Sequence, residues 1–244
     1  MRSLTKEYTV GAGETDCFHF CRPSALLNFM QDTATQHAGL IGRSRDAMIG
    51  QFGAIWVLAR CWVELFRPLR EEDTLSVETW HRGLRGVTWY RDFALCANGE
   101  AIGRATNAWV MADAVTHRAK KPTGMQEIDE RSAAPERSLG VTLQKLPCPD
   151  DLIPRITRTI RYSDLDVNCH LNNAKYADLI CDALALESGA PCDFHTLQIN
   201  YTGECMAGET ILLSGDAART FVAGHDANGG ERFTARFALR THEG

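Results

Sequence analysis

The sequence predicts an α+β protein in which one helix followed by an antiparallel sheet is laid out twice in succession. Three observations predict it. Two stretches of helical apolar periodicity each follow a short extended segment and an acidic turn. Each is followed by four runs of strand-like residues. The last two runs of each set are joined by a tight-turn signal, Asn98-Gly99 in one half and Asn228-Gly229-Gly230 in the other.

In the first half, Glu14-Thr15-Asp16 precedes a helix beginning at Pro23, a residue suited to a first helical turn. Ala25, Leu26, Phe29, Met30, Thr33, Ala34 and His37 form its core stripe. Strands are expected at Ala54–Phe66, Thr74–Arg82, Val87–Ala97 and Ala101–Ala112. In the second half, an extended Arg158–Tyr162 leads through Asp164-Leu165-Asp166 to a helix near Asn172–Glu187. That helix buries Tyr176, Leu179, Ile180, Ala183 and Leu184 and stops at Gly189, with Pro191 beyond. Strands follow at Thr196–Tyr201, Thr210–Ala217, Thr220–Asp226 and Arg232–Arg240. The organisation expected is 1–121 as an N-terminal domain, 122–154 as a polar, proline-rich linker, and 155–244 as a C-terminal domain. Each sheet wraps its own helix, and the two halves join sheets edge to edge.

The registers can be counted. Asp16 and Asp166 lie 150 residues apart, whereas Thr74 and Thr210 lie 136 apart, so the first half has 14 more residues between helix and strand. The same register sets Asn168 against Phe18, His170 against Phe20, Glu204 against Pro68 and Cys205 against Leu69. Directional polar groups therefore gather in one copy only. Polar groups needed to hold the fold belong in both copies, and these are costly to bury without a partner. The stretch Asp166-Val167-Asn168-Cys169-His170-Leu171-Asn172-Asn173 is the candidate site, and the first half is the degenerate copy, scaffolding or substrate-lining.

The run from Arg161 to Tyr176, through Asp166, Asn168, His170, Asn172 and Asn173, resembles the signature of hot-dog-fold thioesterases, in particular the acyl-acyl-carrier-protein thioesterases and their bacterial members. Asn200-Tyr201-Thr202-Gly203-Glu204-Cys205 is similar to the family's second motif. Pro23–Asn28 and Arg60–Leu65 look like its first-half landmarks. Cys169 departs from the small or polar residue more usual there. The resemblance implies two tandem hot-dog domains, each an antiparallel sheet around a central helix, forming one pseudo-dimeric unit. It implies hydrolysis of fatty acyl thioesters on acyl carrier protein, with the reacting groups on Asp166, Asn168, His170, Glu204 and Cys205. The partner implied is acyl carrier protein bearing a phosphopantetheine-linked acyl chain. No cofactor is implied. A homodimer of tandem chains stays open.

Thioester hydrolysis needs an activated water, a donor for the developing oxyanion and a proton for the leaving thiol. Glu204, given enough burial, is the natural base. His170 holds the water or the carbonyl, Asn168 offers an amide donor, and Asp166 orients its neighbours. The helix start at Asn172 presents free backbone N–H groups to substrate. Cys205 opens a second route, direct attack with His170 as base, but the adjacent carboxylate disfavours a thiolate. The rival reading of the loop is a helix-cap cluster of Asp and Asn, and for Cys205 a small core residue. Phe29, Met30 and Trp56 are expected to line the acyl chain. The competing functions are an acyl-coenzyme A thioesterase of the same fold and a non-catalytic acyl-thioester-binding protein.

Composition narrows the rest. A 244-residue chain with 44% hydrophobic and 23% charged residues is an ordinary globular composition, and a net charge of −5 argues against nucleic acid or an anionic membrane as partner. Nine scattered cysteines without Cys-x-x-Cys read as reduced thiols in a cytoplasm. No signal-like or membrane-spanning apolar run is visible. Cys17-Phe18-His19-Phe20-Cys21 lacks a second ligand pair at zinc spacing, so no metal is expected, and His37, His81, His117, His195, His225 and His242 read as structural or exposed. Arg82, Arg85, Arg91, Arg104, Lys120 and Lys121 read as a solvated face or a docking face for an acidic carrier.

Overall fold

The computed structural model describes residues 1–124, 131–185 and 191–241. Two compact units emerge, one formed by Met1–Thr9, Asn28–Val63 and Asp73–Leu143, the other by Val10–Leu27, Glu64–Glu72 and Gln144–Gly244.

In the first half the strands are β1 (Leu4–Thr9), β2 (Ala54–Leu65), β3 (Thr74–Arg85), β4 (Thr88–Ala97) and β5 (Glu100–Asp113), in the order β1-β3-β4-β5-β2. The pairs β1–β3, β3–β4 and β4–β5 are antiparallel. Asn98 and Gly99 both take positive φ (52° and 83°), which the expected two-residue hairpin requires. Helix α1 runs Pro23–Leu40, and every residue of the predicted stripe is buried except Phe29, which is half-buried and stacks on Tyr8 with ring centroids 4.6 Å apart. A second helix, α2 (Arg45–Phe52), was not anticipated. Ser44 Oγ caps it by accepting from the Ala47 N–H, and Gly53 in the left-handed region ends it.

The second half has β6 (Ile153–Thr159), β7 (Phe194–Tyr201), β8 (Thr210–Gly215), β9 (Phe221–His225) and β10 (Glu231–Leu239), in the order β7-β10-β9-β8-β6. The pairs β10–β7, β10–β9, β6–β8 and β8–β9 are antiparallel. Helix α3 spans Lys175–Ala185 and buries all five predicted residues. It starts three residues later than expected, because Asn172 and Asn173 are spent on the turn that precedes it. Its expected end at Glu187 and the stop at Gly189 lie outside the described residues. A Cβ on Gly224 of β9 would sit 2.2 Å from the Phe233 ring, so the strand pair depends on a bare backbone there.

The proline-rich connection contributes residues to each unit. Asp92 Oδ2 accepts from the Leu139 N–H (2.9 Å), and Leu143 packs with Tyr90 and Ala108. Beyond it, Gln144 O accepts from Gln198 Nε2 (2.9 Å), and Leu146 packs on Phe221 and Ala223. Its last two residues, Ile153 and Pro154, already belong to β6.

Arg91 is buried, contrary to the solvated face expected of it. Nη1 donates to His37 Nδ1 (2.8 Å) and to Thr79 Oγ1 (3.3 Å) inside the first unit. Burial and the Arg91 charge push His37 down to about 4 and His81 to about 3, with His37 and Arg43 adding to the effect at His81. Both imidazoles are neutral in the fold at pH 7. In the unfolded chain they bind protons below about pH 6.5. The unfolded state therefore holds more protons as pH falls from about 6.5 towards 4 and then 3, and stability is lost across that window. Urea-unfolding stability measured from pH 7.5 to 4.5 should fall less steeply in His37→Asn than in the parent. An equal slope in the variant contradicts the assignment.

Candidate active site

The site is a loop built twice. In the second half, Asp166 Oδ1 accepts from the backbone N–H groups of Asn168 (2.8 Å) and His170 (3.4 Å), while the Asp166 N–H donates to His170 O (2.8 Å). Cys169 is driven to φ 62° to close the turn. In the first half, Asp16 Oδ1 accepts from Phe18 N (2.9 Å) and Phe20 N (3.0 Å), Asp16 N donates to Phe20 O (2.9 Å), and His19 sits at φ 61°. Glu14 and Asp164 play matching parts upstream, their carboxylates accepting from Gly11 N (3.1 Å) and Arg161 N (2.8 Å). Asp166, like Asp16, is thus a loop former first, which explains why both copies keep the acid.

Each loop is then laced to the strand-side segment that the counted registers place beside it. Phe20 bridges Arg70 and His170 bridges Met206; Cys21 N donates to Leu69 O (2.8 Å) and Leu171 N to Cys205 O (2.9 Å). The loop positions differ by 150 and the strand positions by 136, as read from sequence. Side chains are what differ. In the first copy Phe20 is buried with the Arg70 guanidinium over its ring at 4.5 Å. In the second, the lacing brings His170 Nδ1 to 3.5 Å from Glu204 Oε1.

Asn168 is exposed, and its Nδ2 lies 3.3 Å from Asp166 Oδ2, so the acid orients the amide. The Glu204 side chain is 45% exposed and that of His170 17%. The carboxylate is therefore not the buried base that sequence reasoning asked for, because it stands in the solvent-facing turn after β7. Cys205 is fully buried, and the Tyr176 hydroxyl reaches both its Sγ (3.4 Å) and Gly203 O (3.2 Å). Burial raises the Cys205 thiol above its ordinary range, so it stays protonated. Tyr176 was legible only as a core residue. In the structure it also holds the Gly203–Cys205 turn, with its ring edge-on to Tyr201 and Phe233 at 5.1 and 5.3 Å.

Asn172 acts as a cap. Its Oδ1 accepts from Ala174 N (2.8 Å), its carbonyl from Lys175 N (2.8 Å), and its own N–H donates to Asp164 O (2.9 Å). The backbone donors of 172, 174 and 175, expected to face the substrate, are thereby committed. Phe29, Met30 and Trp56 belong to the other unit. There Met30 is fully buried, and Trp56 packs edge-on to Trp89 at 4.7 Å.

The second half thus sets a paired imidazole and carboxylate on a loop beside an antiparallel sheet and its helix. Comparison with known proteins supplies the family. Residues 2–126 match the family model described as the acyl-ACP thioesterase N-terminal domain, and residues 155–243 match the acyl-ACP thioesterase C-terminal domain. The chain belongs to the acyl-ACP thioesterase family. It is 30% identical over 251 residues to the palmitoyl-acyl carrier protein thioesterase of Gossypium hirsutum, covering 98% of this chain and 59% of that one. It is 27% identical over 226 residues to oleoyl-acyl carrier protein thioesterase 2 of Arabidopsis thaliana, covering 85% of this chain. The chain spans 60% of the length of that relative. The hot-dog fold is shared with the 12:0-ACP thioesterase of Umbellularia californica (TM-score 0.81, 22% identity, 98% and 97% of the two chains) and with an acyl-ACP thioesterase from Bacteroides thetaiotaomicron (TM-score 0.79, 20% identity, 98% of each). No helix among the described residues is long and apolar enough to cross a membrane.

The shared acid gives a direct check on the loop. Asp16 carries the loop role without any reacting neighbour, and hydrogen bonds to a carboxylate contribute about 1.5–3 kcal/mol each. Asp16→Ala should cost about 1–3 kcal/mol in urea unfolding, the exposed setting holding it towards the lower end. An unchanged midpoint means the carboxylate does not build the turn.

Proposed function

We propose that this chain hydrolyses fatty acyl thioesters on acyl carrier protein, releasing the free fatty acid, with water activated at His170. The observation that carries this reading is the approach of Glu204 Oε1 to His170 Nδ1 at 3.5 Å on the one loop copy that has both residues. A carboxylate at Nδ1 favours the tautomer protonated there, which leaves Nε2 as the acceptor for a water proton. The roles assigned from sequence are thereby exchanged: His170 is the base and Glu204 its orienting partner. Water oxygen adds to the thioester carbonyl carbon as its proton passes to Nε2. The tetrahedral intermediate then expels the pantetheine thiolate, which takes that proton back from the imidazolium. Asn168 Nδ2, oriented by Asp166, is the side-chain donor offered to the oxyanion. The second half of the chain carries these groups, and the first half is the degenerate copy.

The buried, protonated Cys205 supports the water route over an acyl-enzyme. We expect Cys205→Ala to keep turnover within a few-fold. His170→Ala should lose about 10²- to 10⁴-fold, the usual worth of a positioned base, and Glu204→Gln a smaller part of that. Steady-state hydrolysis of one acyl chain presented on carrier protein and on coenzyme A, run across the three variants, tests both halves of the proposal. Loss of activity in Cys205→Ala at parental stability overturns the water route. Preference for coenzyme A overturns the carrier assignment.

A further inference from the structure

Away from that loop, Cys148, His225 and Glu231 converge on one point of the second unit. Cys148 Sγ, a His225 ring nitrogen and a Glu231 carboxylate oxygen all lie within 4.8 Å of one another, each residue half-buried. His225 ends β9 and Glu231 opens β10, and the two are directly paired across the Asn228-Gly229-Gly230 hairpin. Cross-strand pairs of this kind keep their side chains on one face within reach. Cys148 arrives from the connection between the two halves, set between Pro147 and Pro149. That segment is pinned just before the thiol: Gln144 O accepts from Gln198 and Asn200, and Leu146 O accepts from Thr234 Oγ1 (3.4 Å). Leu146 itself is buried against Phe221 and Ala223, with Cys148 and Leu152 packed alongside.

Two neighbouring charges, Asp226 and Arg232, are otherwise engaged. Asp226 accepts from Asn228 N and Gly230 N (both 2.8 Å) and pairs with Arg232 (2.9 Å), and Arg232 also pairs with Glu209 (2.9 Å). Among the described residues, the His225 and Glu231 side chains take no hydrogen bond or ion pair.

We propose that Cys148, His225 and Glu231 bind a zinc ion that fastens the connecting segment to the β9–β10 hairpin. The donor set selects the ion. A thiolate beside an imidazole disfavours magnesium and calcium, which take oxygen ligands. One thiolate and one carboxylate balance the double positive charge, and the partly open position leaves room for a water as fourth ligand. Ordinary zinc–ligand distances place tetrahedral donor atoms about 3.3–3.6 Å apart, so the present cluster closes on the ion by about 1 Å of side-chain rotation. Binding releases one proton per ion, that of the Cys148 thiol, to solvent.

The test uses the full chain, stripped with a chelator and kept reduced, titrated first with cobalt(II) and then with zinc(II). We expect a thiolate-to-cobalt charge-transfer band that saturates at one equivalent and is displaced by zinc. Zinc should also slow amide exchange over residues 144–152. Cys148→Ala should abolish the band, and Glu231→Gln and His225→Ala should each weaken metal binding by about tenfold or more while the thermal midpoint of the metal-free protein stays at the parental value. The proposal is overturned if no band forms at stoichiometric cobalt. It is equally overturned if the band persists in Cys148→Ala, since the remaining eight cysteines would then be its source.

Discussion

The structure of the second unit turns on a carboxylate folded back onto the backbone that follows it. Asp166 takes two N–H groups, forces Cys169 into the left-handed region, and thereby sets His170 in line with Met206 and Leu171 in line with Cys205. Each such bond to a charged acceptor contributes about 1.5–3 kcal/mol, several times thermal energy, and the turn is built without any contact from a substrate. The device addresses main-chain groups only. Side chains at the second and fourth positions after the acid are left open to choice. One copy fills them with Phe18 and Phe20, the latter covered by a guanidinium. The other fills them with Asn168 and His170.

Burial then sorts the polar groups of the second copy by task. Cys205 is enclosed, its sulfur accepting from Tyr176, and is chemically quiet. Glu204, one residue earlier, is 45% exposed in the turn after β7, where its carboxylate meets His170. The Leu171–Cys205 bond holds this turn beside the loop, with Cys205 enclosed and Glu204 left towards solvent. The same lacing explains why Tyr176, whose side chain is largely apolar, ends with its hydroxyl on the turn: it anchors Gly203 and Cys205 from below while its ring packs on Phe233.

Much of this was legible in the sequence because it depends on short-range rules. Pro23, Asn98-Gly99 and Asn228-Gly229-Gly230 mark element ends by backbone chemistry that acts within a few residues, and the two offsets between copies fix which residues face one another. What stayed hidden depends on packing at long range. Arg91 looked like surface because a guanidinium is rarely enclosed; His37 and Thr79 accept it in an interior that no local pattern reveals. Helix α2 is a two-turn element whose signals, Ser44 and Gly53, are visible but carry little weight without an apolar stripe. Asn172 and Asn173 alone suit a helix cap, and beside His170 and Glu204-Cys205 the sequence favours a site; the backbone claims Asn172. Cys148, His225 and Glu231 are too far apart in sequence to suggest a cluster, and only a sheet register and a pinned connection bring them together.

The central claim of the proposal is that Asp166 makes the loop while His170 makes the chemistry, two separable roles four residues apart in the sequence. Amide hydrogen exchange at Leu171, whose N–H bonds to Cys205 O, separates them most directly. Protection at Leu171 should collapse in Asp166→Ala and persist in His170→Ala. Protection that survives in Asp166→Ala, or that vanishes in His170→Ala, contradicts the account.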